Sequence, residues 1–185
     1  MARPKLPVFP FTPKSTLHLR AGQFWDIPLE DGRHGAGVVV ALRAANGLNS
    51  ARPDSRSFVA GVLTWSGDAP PTTTTLAGSE LYRWGDAHIL TIADGGGEIL
   101  GVIDFPLNEI ATRSHRAGGT VWLWVNGEKR RPATDTERET LPSRSTWGYQ
   151  FARVLAESVN ATLMHGTTPA YLSAPANTIQ RGDPT

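Results

Sequence analysis

Apolar positions along this chain fall into short segments with the period of strands. Phe24 to Leu29, Val38 to Leu42 and Phe58 to Trp65 are each brief and rich in β-branched or aromatic residues, which predicts three strands. Glu30-Asp31-Gly32-Arg33-His34-Gly35 separates the first two. Asp-Gly supplies the positive φ of a tight connection, so these two should pair antiparallel. His88 to Ala93 and Glu98 to Phe105 flank Asp94-Gly95-Gly96-Gly97 and predict a second hairpin by the same device, and Val121 to Val125 predicts a strand that stops at Asn126-Gly127. One segment carries a helical period. In Tyr149 to His165, Phe151, Val154, Leu155, Val159 and Leu163 recur at spacings of three and four before Gly166, which predicts a helix at about 147–165 with that stripe facing the core.

The fold class expected is mainly β (α+β): a strongly curved antiparallel sheet or small SH3-like barrel with one C-terminal helix. Prolines at 4, 7, 10 and 13 match the three-residue turn of polyproline II, so residues 1–20 read as a Pro-rich extended arm packed on its own domain. Residues 21–168 form the single β-rich domain, and 169–185 a loosely ordered tail with little to bury. Three connections are long, 43–57, 66–79 and 126–146, and such lengths mark functional or mobile loops. The run Thr72 to Thr75 after Pro70-Pro71 predicts mobile, extended chain. Glu128 to Arg144 mixes five basic with four acidic residues, a solvated surface.

Length and composition narrow the classes further. At 185 residues one domain is the default. Eighteen Lys+Arg against seventeen Asp+Glu leave a formal charge of +1, no global attraction for a polyanion or an anionic membrane. Nucleic acid is therefore not the expected partner unless a local patch exists. The longest apolar run, Val38 to Leu42, is far short of the ~20 residues that span a bilayer, so no membrane is expected. The chain has no cysteine, which fits a reducing compartment. With prolines breaking any signal-like region near the start, a cytoplasmic location is expected.

No catalytic constellation assembles from the sequence. His18, His34, His88, His115 and His165 are scattered without metal-ligand spacing, so neither a metal nor a cofactor is expected. Gly95 to Gly97 leads into a strand pattern rather than a helix and so lacks the context of a phosphate loop. Asp26, Glu30 and Asp31 cluster beside Arg33 and His34 on the first hairpin; they could mimic a general acid/base group, or serve as turn formers and partners for Arg33. Trp122 and Trp124 share one face of their strand and are followed by Lys129-Arg130-Arg131, the best candidate for a stacking platform. The sequon Asn160-Ala161-Thr162 and the triplet Arg181-Gly182-Asp183 read as chance.

Residues 22 to 40 carry a resemblance. Gly22, Phe24, Ile27, Pro28, Leu29, Asp31, Gly32, Arg33, Gly35, Gly37 and Val39 follow the N-terminal hairpin of the immunity protein 26 family of bacterial polymorphic toxin systems: a glycine, a strand ending I-P-L, an acidic-Gly-basic turn, then G-x-G entering a second strand. Gln23 and Ala36 depart from it, standing where the family often has an acidic residue and an aromatic. The resemblance covers about a fifth of the chain. It implies an immunity protein, not an enzyme, that neutralises a cognate toxin domain by direct binding and active-site occlusion. On that basis Asp26, Glu30, Asp31, Arg33, His34, Trp122 and Trp124 are the candidate contact residues, and self-association is left open. The alternative is a nucleic-acid or peptide binding module using the tryptophan strand; a third, a hydrolase, requires a buried carboxylate of the first hairpin beside a second one.

Overall fold

The computed structural model describes residues 8–44, 53–104, 111–114, 119–125 and 128–166. Two antiparallel sheets make up most of it. The larger holds β1 (Gln23–Pro28), β2 (His34–Ala44), β3 (Pro53–Gly67), β4 (Leu81–His88) and β5 (Ile99–Val102) in the order β4-β3-β2-β1-β5. The smaller, β6-β7-β8, is built from Ala111–Arg113, Trp122–Val125 and Glu128–Pro132. Three helices accompany them: α1 (Leu90–Asp94), α2 (Asp135–Thr140) and α3 (Phe151–His165). The mainly β class is therefore observed, with two helices beyond the one predicted. The large sheet is open: β4 and β5 lie at opposite edges and do not pair among the described residues, so the barrel alternative is not the form adopted. No helix among the described residues is long and apolar enough to cross a membrane.

The first hairpin forms as its sequence requires. β1 and β2 pair with Ile27 opposite Gly35 and Pro28 opposite His34. Gly32 takes φ +83° at the turn, and Leu29 N–H donates to the Arg33 carbonyl at 2.9 Å. Alternation then sends Trp25, Ile27 and Leu29 to one face of the sheet and Phe24 to the other. Both faces are buried. On the first, Trp25, Phe58 and Val62 meet Leu155, Ala156 and Val159 of α3; on the second, Phe24, Val38, Val40 and Leu63 are closed over by Leu76 and Ile103.

Several expectations need correction. His88 to Ala93 is not a strand: β4 ends at His88 and Leu90–Asp94 is a helical turn, whose side chains Ile89 and Ile92, three apart, both enter the core. The Asp94–Gly97 stretch consequently joins a helix to a strand rather than closing a hairpin. Of the 43–57 connection, 43–44 belong to β2 and 53–57 to β3, and 45–52 lie outside the described residues. Thr72 to Thr75 forms a hydrogen-bonded turn, not extended chain: Thr72 N–H donates to Thr75 Oγ1 at 2.8 Å, and Leu76 N–H donates to the Thr72 carbonyl at 3.1 Å. Buried Leu76 pins that turn to the second core face. The 126–146 connection contains β8 and α2, the latter started by a reciprocal Thr134–Glu137 capping box.

The buried face of α3 also differs from the predicted stripe. Ala152, Leu155, Ala156 and Val159 are buried, whereas Phe151, Val154 and Leu163 are exposed. Small residues win the contact because the helix lies close to the sheet: a Cβ added to Gly35 would stand 2.7 Å from the Ala156 Cβ.

The N-terminal segment packs on the domain from Phe11 onward, while residues 8–10 are exposed. Phe11 and Ile99 exchange backbone hydrogen bonds of 3.1 and 2.8 Å, and Leu19 is fully buried after a 3-10 turn at Thr16–His18. Residues 1–7 and the predicted tail 169–185 lie outside the described residues. The two sheets are stitched by Pro142 to Trp147. At one end Arg113 N–H donates to the Pro142 carbonyl (2.9 Å); at the other Asp86 N–H donates to the Ser145 carbonyl (2.9 Å), and Trp147 N–H donates to that of Asp86 (2.7 Å).

Candidate functional site

The first hairpin brings its candidate residues together but divides them between two sides of the sheet. Asp26 and His34 meet on one side, with His34 Nδ1 2.9 and 3.0 Å from the two carboxylate oxygens. Burial pushes the Asp26 carboxyl above its ordinary value, partly countered by its hydrogen bond to His34. The turn itself leans on α3. Glu30 N–H donates to Glu157 Oε1 at 2.7 Å, and Asn160 Nδ2 donates to Asp31 Oδ2 at 2.7 Å.

Ser66 extends this network by donating to Asn160 Oδ1 at 2.7 Å. Arg33 Nε donates to Ser66 Oγ at 3.3 Å, and its guanidinium pairs with Asp68 at 3.1 Å. The Arg33 backbone N–H and then the Asn160 amide hold the Asp31 carboxyl below its ordinary value. The side chains of Asp31 and Arg33 are thus held by distant elements, whereas Glu30 is tied through its backbone N–H. Asn160 is buried and both ends of its amide are engaged, so the sequon is closed to a glycan.

The acid/base expectation finds different geometry. Asp26 is the half-buried carboxylate, yet its neighbour is His34 rather than a second carboxylate, while Glu30 and Asp31 are exposed. Among the described residues no group of three His, Asp or Glu could hold a metal ion.

Trp122 and Trp124 share the strand face opposite buried Leu123. Each is only partly exposed, and a cation covers each ring: Lys129 Nζ lies 3.6 Å from the Trp122 centroid and the Arg144 guanidinium carbon 3.7 Å from that of Trp124. Arg144 also binds the buried carboxylate of Asp86, and Arg131 of the basic run holds Glu137 at 2.7 Å. These indoles and cations are joined to one another, so the open stacking platform that the pattern suggested is not formed.

The most exposed aromatic feature was not singled out from the sequence. Asp94, Gly148, Tyr149, Gln150, Phe151 and Val154 line a shallow, open notch of about 470 Å³ at the N-terminal end of α3. Tyr149, Phe151 and Val154 are 51%, 39% and 44% exposed. Tyr149 packs at a tilt of 51° against His88 (5.6 Å between centroids) and Phe151 packs its edge against buried Trp147 (5.7 Å), so the walls are held in place. One sequence signal existed: the apolar positions of α3 span more of its circumference than a single face can bury. Comparison with family models, curated proteins and solved structures finds nothing that matches this chain.

Proposed function

We propose that this chain is an immunity protein: it neutralises a bacterial toxin in the cytoplasm by binding it and covering its active site or substrate path. The observation that carries this is the pairing, along α3, of a turn whose Asp31 and Arg33 side chains are held by Asn160, Ser66 and Asp68 with the exposed notch of Tyr149, Phe151 and Val154. Fixed side chains lower the ordering cost of association, and exposed aromatics in a concave setting are the usual anchors of tight interfaces. The hairpin resemblance supports the same reading. Within it, Asp26 and His34 serve to hold β1 to β2, and Trp122 and Trp124 to hold the small sheet together. The nucleic-acid alternative is disfavoured by the cations that occupy both indole faces.

The test is co-expression with the product of any toxin-like reading frame found beside this gene. Growth should be restored and the two chains should co-purify; persistent toxicity with no complex would remove the proposal.

A further inference from the structure

We infer that the notch at the start of α3 seats an apolar side chain of a partner protein whose surrounding surface is basic. The inference deepens the inhibitor reading and rests on it, naming the kind of surface such a toxin would present. The notch supplies the apolar half. Tyr149, Phe151 and Val154 are exposed and contiguous, an apolar surface that a partner side chain could cover.

The charge around it supplies the other half. Glu157 follows Val154 by one turn of α3, about 4.5 Å along the axis. It accepts from the Glu30 N–H, while Asp31 is tied to Asn160 one turn further on. Asp94 lies on the notch wall and Asp68 at the far end of the network. Against these five carboxylates stand Arg153 and Arg33, each already paired within the set, to Asp94 at 3.5 Å and to Asp68 at 3.1 Å. Among the described residues this flank therefore carries an excess of three negative charges, on a chain whose formal total is +1. A basic partner would be steered to it and an acidic one repelled.

Two synthetic hexapeptides sharing a central Leu-Phe anchor, one flanked by Lys and Arg and the other by Glu, test this by titration into the isotopically labelled full chain with backbone amide shifts as readout. The basic peptide should shift Tyr149, Phe151 and Val154 together with Glu30 and Asp31, and should weaken about fivefold or more from low to high salt. The acidic peptide should leave those amides unmoved. Val154→Ser, which removes the apolar group without adding charge, should cut basic-peptide binding at least about tenfold, and Tyr149→Ala provides a second variant. Equal response to both peptides, absence of binding, shifts confined to other surfaces, or unchanged binding by both variants would overturn the inference. Notch shifts that grow with protein concentration alone would assign the notch to a second copy of this chain and overturn it too. Growth protection reads the inhibitor function separately. Protection without notch binding removes the notch, and notch binding without protection removes the inhibitor.

Discussion

Gly37→Ala offers the sharpest check on how the first hairpin is built. Gly37 is buried in β2 directly opposite Trp25. An added Cβ would lie 2.7 Å from Trp25 Nε1 and closer still to the ring carbons Cε2 and Cζ2. Ordinary contact begins at 3.4 Å, so the indole or the strand must move by at least 0.7 Å. The ring has nowhere to go: it is fully buried, has Phe58 at its edge with centroids 6.0 Å apart, and lies tightly against Gly95 on another side.

Overpacking of this kind costs about 1–3 kcal/mol, which exceeds the roughly 0.5–1 kcal/mol that alanine gains over glycine through lower chain entropy. Urea unfolding should therefore show a lower midpoint with an unchanged slope. Trimming the indole should relieve the clash, so Trp25→Phe combined with Gly37→Ala should cost less than the two singles together, by about 1 kcal/mol. Gly32→Ala is the contrasting control. Nothing lies within 4 Å of a Cβ there, but φ is +83°, so its cost of about 1–2 kcal/mol is conformational and should not couple to Trp25. A Gly37→Ala change within about 0.5 kcal/mol of the parent, or additivity with Trp25→Phe, would refute the close-approach explanation of the G-x-G pattern.

Three other outcomes follow from the same geometry. Arg144→Met removes the guanidinium bound to the buried Asp86 carboxylate and should lower the thermal unfolding midpoint, with part of the loss recovered when Asp86→Leu removes that charge as well. Glu137 is held down to about 2 from 4.5, chiefly by its bond with Arg131; its stabilisation is present above pH 4.5 and lost as pH falls toward 2. Glu137→Gln should abolish that acid-side slope in the amide protection of α2. Asp26 has the opposite sign. Burial raises its folded value above 3.8, so its contribution is complete below 3.8 and declines as pH rises through the folded value; Asp26→Asn should flatten that decline in urea midpoints.

What could be read from the sequence was what sequence-local chemistry decides. Asp31-Gly32 fixes its own turn, and Pro28 with Ile27 and Leu29 fixes the strand entering it, so hairpin and polar cluster were both legible. The short apolar run Ile89 to Ala93 was not, because five residues carry no reliable period; the burial of Ile89 and Ile92 three apart marks the helical turn. The cations on the tryptophans were hidden for another reason. Arg144 reaches Trp124 from twenty residues further along the chain, and only the Pro142 to Trp147 stitch brings it there.

The notch shows how a hydrophobic pattern can mislead about which residues enter the core. Phe151 and Val154 are more apolar than Ala152 and Ala156, so periodicity assigned them inward. Helix–sheet distance decided otherwise: against Gly35 only a small side chain fits, and the alanines take the contact. The larger residues are then displaced to the rim, where His88 and Trp147 hold Tyr149 and Phe151. Apolar groups in excess of what the core can accept, fixed rather than loose, leave a cost in water that a partner would relieve by covering them. If Val154→Ser and Tyr149→Ala leave folding stability within about 0.5 kcal/mol of the parent, as their exposure predicts, those side chains contribute little to the fold. Their exposure is then the property left to explain, and the partner contact we propose would account for it.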